Sequence, residues 1–217
     1  MITRADDVEA AWNLAVAVGD KPQRVLVETV IDVEDEVTLL TVRNVGPSGP
    51  TVQFCGPIGH NRATGGALET WQPHQMSPAA LDAARSVAAR IVNSLGGRGV
   101  FAVELLVRGD EVYFATVRPR PEETGMVTLR SQRLTQFELH ARAILGLSTD
   151  TILISPAAAE VGADTSVTGA HPLADALAVA ESDVRFIGDT YVALATAPDV
   201  VRARDRAHQV SAVLNKS

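Results

Sequence analysis

Apolar positions along this chain follow two rhythms, and the changes from one to the other divide it into elements. The clearest helical rhythm follows Ser77, where Leu81, Ala84, Ala88, Ile91, Val92 and Leu95 recur at spacings of three and four. Ser77 supplies a cap, Pro78 takes the first helical position where its missing N–H costs nothing, and Gly96-Gly97 marks the stop. Helices are also expected over 135–145, ending at Gly146, and over 198–213. Near the start, Thr3 and Asp6 resemble a helix opening, Ala10, Trp12 and Leu14 add apolar weight, and Gly19 closes it.

Strand patterns fill the rest. The β-branched bias of 24–31 predicts a buried strand, and 36–43 a second. The turn Gly46-Pro47-Ser48-Gly49-Pro50 leads into 51–54 and predicts an antiparallel hairpin. Residues 99–107 and 111–117 predict another, joined at Gly109-Asp110. Val103, Leu105 and Val107 then share one face, and Glu104 and Leu106 the other. A three-residue turn at 109–111 would set Thr116 opposite Glu104. Between these elements, 56–75 is a polar, Gly-rich stretch and 119–125 a Pro-rich loop. After Pro156 the chain turns to short Ala- and Val-rich segments, which predicts one domain over 1–147 and a small, β-rich one over 148–217.

Composition narrows the function classes. With 46% hydrophobic and 21% charged residues, the 217-residue chain is an ordinary globular protein. A net charge of −7 and the lack of a Lys/Arg stripe argue against nucleic-acid binding. Arg202, Arg204 and Arg206, interleaved with Asp205, read as the solvated face of a helix. No run of eighteen apolar residues predicts a membrane span, and the start lacks the apolar core of a signal peptide, so a cytoplasmic location is expected. The single cysteine, Cys55, stands in an apolar run and is expected to be a buried, inert thiol.

Candidate chemistry lies with the carboxylates. Glu104, inside an apolar strand, either faces solvent or meets a cation, donor or metal that offsets its desolvation. Glu28 and Glu36 sit at strand ends beside the acidic residues Asp32, Glu34 and Asp35; such an end is either a solvated edge or a place to hold ribose hydroxyls. The five histidines show no zinc spacing. His60 with Arg62, and His74 beside Trp71, read either as substrate-orienting residues or as packing.

Longer motifs point to a family. Phe54-Cys55-Gly56-Pro57-Ile58-Gly59-His60, Glu69-Thr70-Trp71-Gln72-Pro73-His74-Gln75-Met76-Ser77, the run 99–105, Pro119-Arg120-Pro121 and Thr124-Gly125-Met126-Val127-Thr128-Leu129 resemble the formate-dependent phosphoribosylglycinamide formyltransferases. These are ATP-grasp ligases of purine synthesis, which make formyl phosphate from formate and ATP and pass the formyl group to glycinamide ribonucleotide. The resemblance implies an α/β (α+β) fold, the carboxyl-terminal half of an ATP-grasp domain with an antiparallel sheet and flanking helices, plus the small terminal domain. It implies ATP and Mg²⁺ as cofactors. By position it places Glu28, Thr29, Val30 and Ile31 against the adenine, Glu36 on the ribose, Glu104 as a magnesium ligand and Glu123 at the glycinamide substrate.

Departures accompany the resemblance. The second magnesium-binding glutamate of the family aligns with Thr116, Arg118 replaces a small residue, and the substrate-phosphate cations align with Glu181, Gly188 and Asp189. The family's amino-terminal domain and phosphate loop align with nothing in the chain. The expectation is a chain that does not complete the reaction alone and works with a separate amino-terminal partner. Alternatives are a pseudoenzyme serving binding or assembly, as a homodimer, and a subunit of a related ligase with a different substrate.

Overall fold

A computed structural model describes residues 2, 4–17, 25, 27–46, 49–62, 67–163, 170–188 and 190–215. The chain forms two compact units, Met1–Asp32 and Val33–Ser217. In the first, a 3₁₀ turn (Ala5–Asp7) leads into α1 (Val8–Val16). Helix α1 buries none of its residues, and Trp12 and Leu14 are exposed. Within 24–31, where a strand is expected, the described residues 25 and 27–31 are irregular, and Val27 and Val30 are exposed. β-Branched residues favour a strand only where a ladder pairs their N–H and C=O groups, and none of the described strands pairs with this run.

The second unit is built on one antiparallel sheet. Its strands are β1 (Asp35–Gly46), β2 (Gly49–Phe54), β3 (Ile58–Arg62), β4 (Leu68–Gln72), β5 (Gly99–Arg108), β6 (Glu111–Arg118), β7 (Ala157–Ala163), β8 (Ser182–Ile187) and β9 (Thr190–Thr196). Their order is β6-β5-β1-β3-β4-β7-β9-β8, with β2 paired to the far half of β1. Strands β7–β9 therefore extend the sheet through β4–β7 pairing. The compact division falls between Asp32 and Val33.

The helices cover the sheet as their apolar stripes require. Helix α2 (Pro78–Leu95) is capped by Ser77 Oγ, which accepts from Ala80 N–H at 3.0 Å. Its Ala84, Ala88 and Val92 pack on Leu39, Val103 and Leu105. On the other face, α4 (Gln136–Ile144) opens with a full Thr135/Glu138 capping box. Its Leu139 and Ala143 meet Leu40, Val42, Val100 and Ala102. A short α3 (Thr128–Ser131) precedes it, and α5 (Ala170–Ala176) and α6 (Val200–Leu214) lie against β7–β9. Alternation on β1 and β5 thus sends odd-numbered residues to α2 and even-numbered ones to the opposite face. Among the described residues no helix is long and apolar enough to cross a membrane.

Candidate functional site

The polar stretch 56–75 carries two central strands that its composition concealed, and their register assembles the site. Glu36 pairs across the sheet with Leu106 on one side and His60 on the other, and Thr38 pairs with Glu104 and Ile58. On β6, Thr116 stands opposite Glu104 and Arg118 opposite Ala102, so Arg118 is a diagonal neighbour of Glu104 on the same face. The Glu104–Thr116 pairing is as anticipated, but a different device produces it. Arg108 pairs directly with Glu111 across a two-residue turn, where Gly109 takes a φ of 57°. A bulge at Ala115 then restores the register.

A loop closes the end of this polar row. Gln136, fully buried, donates from Nε2 to the Glu122 carbonyl at 2.8 Å and accepts from the Glu122 N–H at 3.1 Å. Its side chain lies over Gly125, where a Cβ would collide with the Gln136 carboxamide. This clamp sets Glu122, Glu123 and Thr124 beside the sheet. The result is a half-open cleft of about 340 Å³ lined by Glu36, His60, Arg62, Leu68, Glu104, Arg118, Glu122, Glu123 and Thr124. Three of the carboxylates singled out in the sequence, Glu36, Glu104 and Glu123, therefore meet in one place. Glu28, Thr29, Val30 and Ile31 belong to the first unit. Glu181, bonded to Arg206 and Thr196, does not line the cleft, nor does Gly188; Asp189 lies outside the described residues.

Charge in the cleft is unevenly matched. Arg62 pairs with Glu123 at 3.0 Å, and Arg120 holds Glu122 at 2.8 Å. Arg118 reaches Glu122 only at 3.7 Å, and Glu104 has no ion-pair partner among the described residues. Burial raises the proton affinity of Glu104; the Arg118 charge opposes that rise, while Glu122 and Glu36 add to it. Burial, then His74 and Arg62, hold His60 down at about 4. His60 is thus neutral near pH 7, and its contact to Glu36 (Nδ1 to Oε2, 3.5 Å) is not an ion pair there. Behind it, Trp71 Nε1 donates to His74 Nδ1 at 3.1 Å, which leaves the His74 proton on Nε2, 3.6 Å from Asp35. His74 and Trp71 are packing residues; His60 and Arg62 line the cleft.

Buried polar atoms without a protein partner concentrate here. Among the described residues they are Thr38 Oγ1, His60 Nε2, Thr124 Oγ1 and His74 Nε2. Thr124 and His60 line the cleft, Thr38 sits between Glu104 and Ile58, and His74 backs His60. Unsatisfied buried groups are uncommon in folded proteins and mark sites that bind or react. A recess of similar volume beside α6 differs in this respect. Its carboxylates are already paired, Glu69 with Arg204 at 2.7 and 2.8 Å and Glu160 with His208 at 2.9 Å. Arg204 also stacks on Trp71, 4.0 Å from the ring centre, so this arginine is tied into the fold and not merely solvated.

The donor set does not fit a magnesium site built on two carboxylates. Thr116 offers a neutral hydroxyl opposite Glu104, Arg118 brings positive charge to the same face, and among the described residues no three His, Cys, Asp or Glu side chains are grouped so that they could hold one metal ion.

An antiparallel sheet with a carboxylate-lined cleft on one face and a helix on the other is the architecture of the ATP-grasp domain. A family model for that domain matches residues 1–137, and the chain belongs to the ATP-grasp family. Among curated relatives, the formate-dependent phosphoribosylglycinamide formyltransferase of Corynebacterium efficiens is 49% identical over 99% of this chain, which covers 57% of that protein. That of Rhodococcus jostii is 49% identical over 94% of this chain, which covers 54% of that protein. A solved structure titled glycinamide-RNase-transformylase T, from Mycobacterium tuberculosis, superposes with a TM-score of 0.81 at 56% identity, covering 87% of this chain and 58% of that one. The N5-carboxyaminoimidazole ribonucleotide synthetase of Thermus thermophilus has a TM-score of 0.80 at 24% identity, over 97% and 57% of the two chains, and shows the shared fold alone. The chain spans a little over half the length of the relatives it matches.

Proposed function

We propose that this chain provides the nucleotide- and substrate-facing wall of an ATP-dependent formyl-transfer site, and that it does not complete the transfer by itself. The observation that carries this reading is the convergence of Glu36, Glu104 and Glu123, from β1, β5 and the clamped loop, on one cleft floored by unsatisfied polar atoms. Relatives named for formyl transfer to phosphoribosylglycinamide give the reaction class. In this reading Glu36 takes the ribose hydroxyls, with neutral His60 bracing it, and Glu123 faces the amine of the acceptor. Thr116 and Arg118 support the absence of turnover by the chain alone, because phosphoryl transfer depends on charge placed beforehand around the moving group. The remaining contacts would come from outside these residues. Thr116 equally favours a second reading, a module that binds nucleotide and assembles with others without turning it over.

Calorimetric titration of the purified chain with ATP tests the reading. Binding at millimolar ATP or below that is lost in Glu36→Ala is the expected result. No heat in the presence or absence of magnesium would sink it. Formyl transfer from formate and ATP, assayed on the chain alone, separates the two statements in the proposal, since turnover would refute the second while leaving the first.

A further inference from the structure

Arg118 is the least committed cation of the cleft. Its guanidinium is half-exposed and reaches Glu122 only at 3.7 Å, and the same carboxylate oxygen is already held by Arg120 at 2.8 Å. Arg62, on β3, is by contrast engaged with Glu123 at 3.0 Å. The bulge at Ala115 turns Thr116 and Arg118 onto the face that carries Glu104 and Ala102, so this guanidinium opens into the cleft and not onto the α2 side. The row that would need a second carboxylate to hold a divalent cation has instead a hydroxyl and, one step along, a fixed positive charge. A cation at that place repels a second cation and attracts an oxyanion, and a guanidinium offers parallel donors that match two phosphate oxygens.

We infer that Arg118 contacts the phosphate oxygens of the nucleotide directly, so that this cleft takes a nucleoside polyphosphate without a divalent metal. The inference rests on the nucleotide reading above and specifies the charge that meets the phosphates. Arg120 and Arg62 already neutralise Glu122 and Glu123, so the charges that Arg118 must outweigh for an incoming phosphate are those of Glu104, on the same face, and Glu36. Thr116, on the same strand face, adds a hydroxyl that donates to a phosphate oxygen.

The test uses the full chain, titrated with ATP in magnesium and again in excess EDTA, with adenosine as the probe that lacks phosphates. The expected result is an ATP affinity in EDTA within about threefold of that in magnesium. Arg118→Gln should weaken ATP about tenfold, the worth of one charge-assisted contact, and leave adenosine unchanged. Arg118→Lys, which keeps the charge and loses the fork, should fall between. The adenosine titration also verifies that each variant keeps its fold. ATP binding that requires magnesium and is indifferent to Arg118→Gln would overturn the inference and leave the nucleotide reading standing. No ATP binding in either buffer would overturn both.

Discussion

His60 should make this protein acid-labile by an amount that can be worked out. Its side chain is 9% exposed, and burial with the neighbouring His74 and Arg62 holds its pKa at about 4, against an ordinary value near 6.5. Above pH 6.5 the imidazole is neutral in both folded and unfolded chains and stability is at its full value. As the pH falls below that, the unfolded chain takes the proton first, and stability declines until the folded protein is protonated as well near pH 4. Each pH unit of that interval is worth about 1.4 kcal/mol, so the loss between pH 7 and pH 5 is about 2 kcal/mol and the full loss about 3 kcal/mol. Other groups titrate in the same range, so the assay is a comparison. Urea unfolding at pH 7, 6 and 5 is measured for the wild type and for His60→Asn, which keeps a donor near the Nδ1 position. The variant is expected to start less stable at pH 7 and to lose about 2 kcal/mol less on the way to pH 5. Equal losses in both proteins would refute the reasoning, because they would show that burial does not hold the proton off His60.

Gly59→Ala should destabilise by about 1–3 kcal/mol in urea unfolding, since its Cβ would run into the Trp71 ring and lie 2.6 Å from His74 Nδ1; an unchanged midpoint would mean that the ring pair has room to move. Thr38→Val removes a fully buried hydroxyl that has no protein partner and keeps the shape, so it should raise stability by about 1 kcal/mol; a loss of that size would show that the hydroxyl is satisfied. Cys55, buried and with its thiol pushed up to about 12, should stay unlabelled by a thiol reagent at pH 8 until denaturant is added, and prompt stoichiometric labelling of the native chain would contradict that placement.

Much of the second unit was legible in the residues, and the failures have physical causes. Ser77-Pro78 and Gly96-Gly97 fixed the ends of α2 because caps and breakers act locally. The Glu104–Thr116 pairing was also readable, although it comes from a two-residue turn plus a bulge, and a bulge leaves no periodic trace. Strands β3 and β4 were hidden because both their faces carry polar residues, His60 and Arg62 on the cleft side and Glu69 beside α6, which dilutes the apolar half of the alternation. The reverse error fell on 24–31, where β-branched residues suggested a strand but no described strand pairs with them. Glu36, Glu104 and Glu123, each singled out in the sequence, line the cleft. Glu122 and Thr124 were not named as site residues; Thr124 opens one of the family-like motifs, and the signal for Glu122 was adjacency to Glu123 in the Pro-rich loop. Gln136, which holds that loop, lies fourteen residues from Glu122 and gives no sign in sequence of what it touches.

The same two strands form the core on one face and line the cleft on the other, and this division lets cleft residues vary without disturbing the packing beneath them. Val37, Leu39, Val103 and Leu105 face the α2 side, where each is fully buried and contributes to packing. Glu36, Thr38 and Glu104 alternate with them and face the cleft, where they add little apolar burial. Thr116 on the neighbouring strand stands on that same face, while Val117, one residue on, packs against the α2 core. Sheet alternation decouples the two faces, so residues on the cleft side can be exchanged while the antiparallel ladder beneath them stays in register.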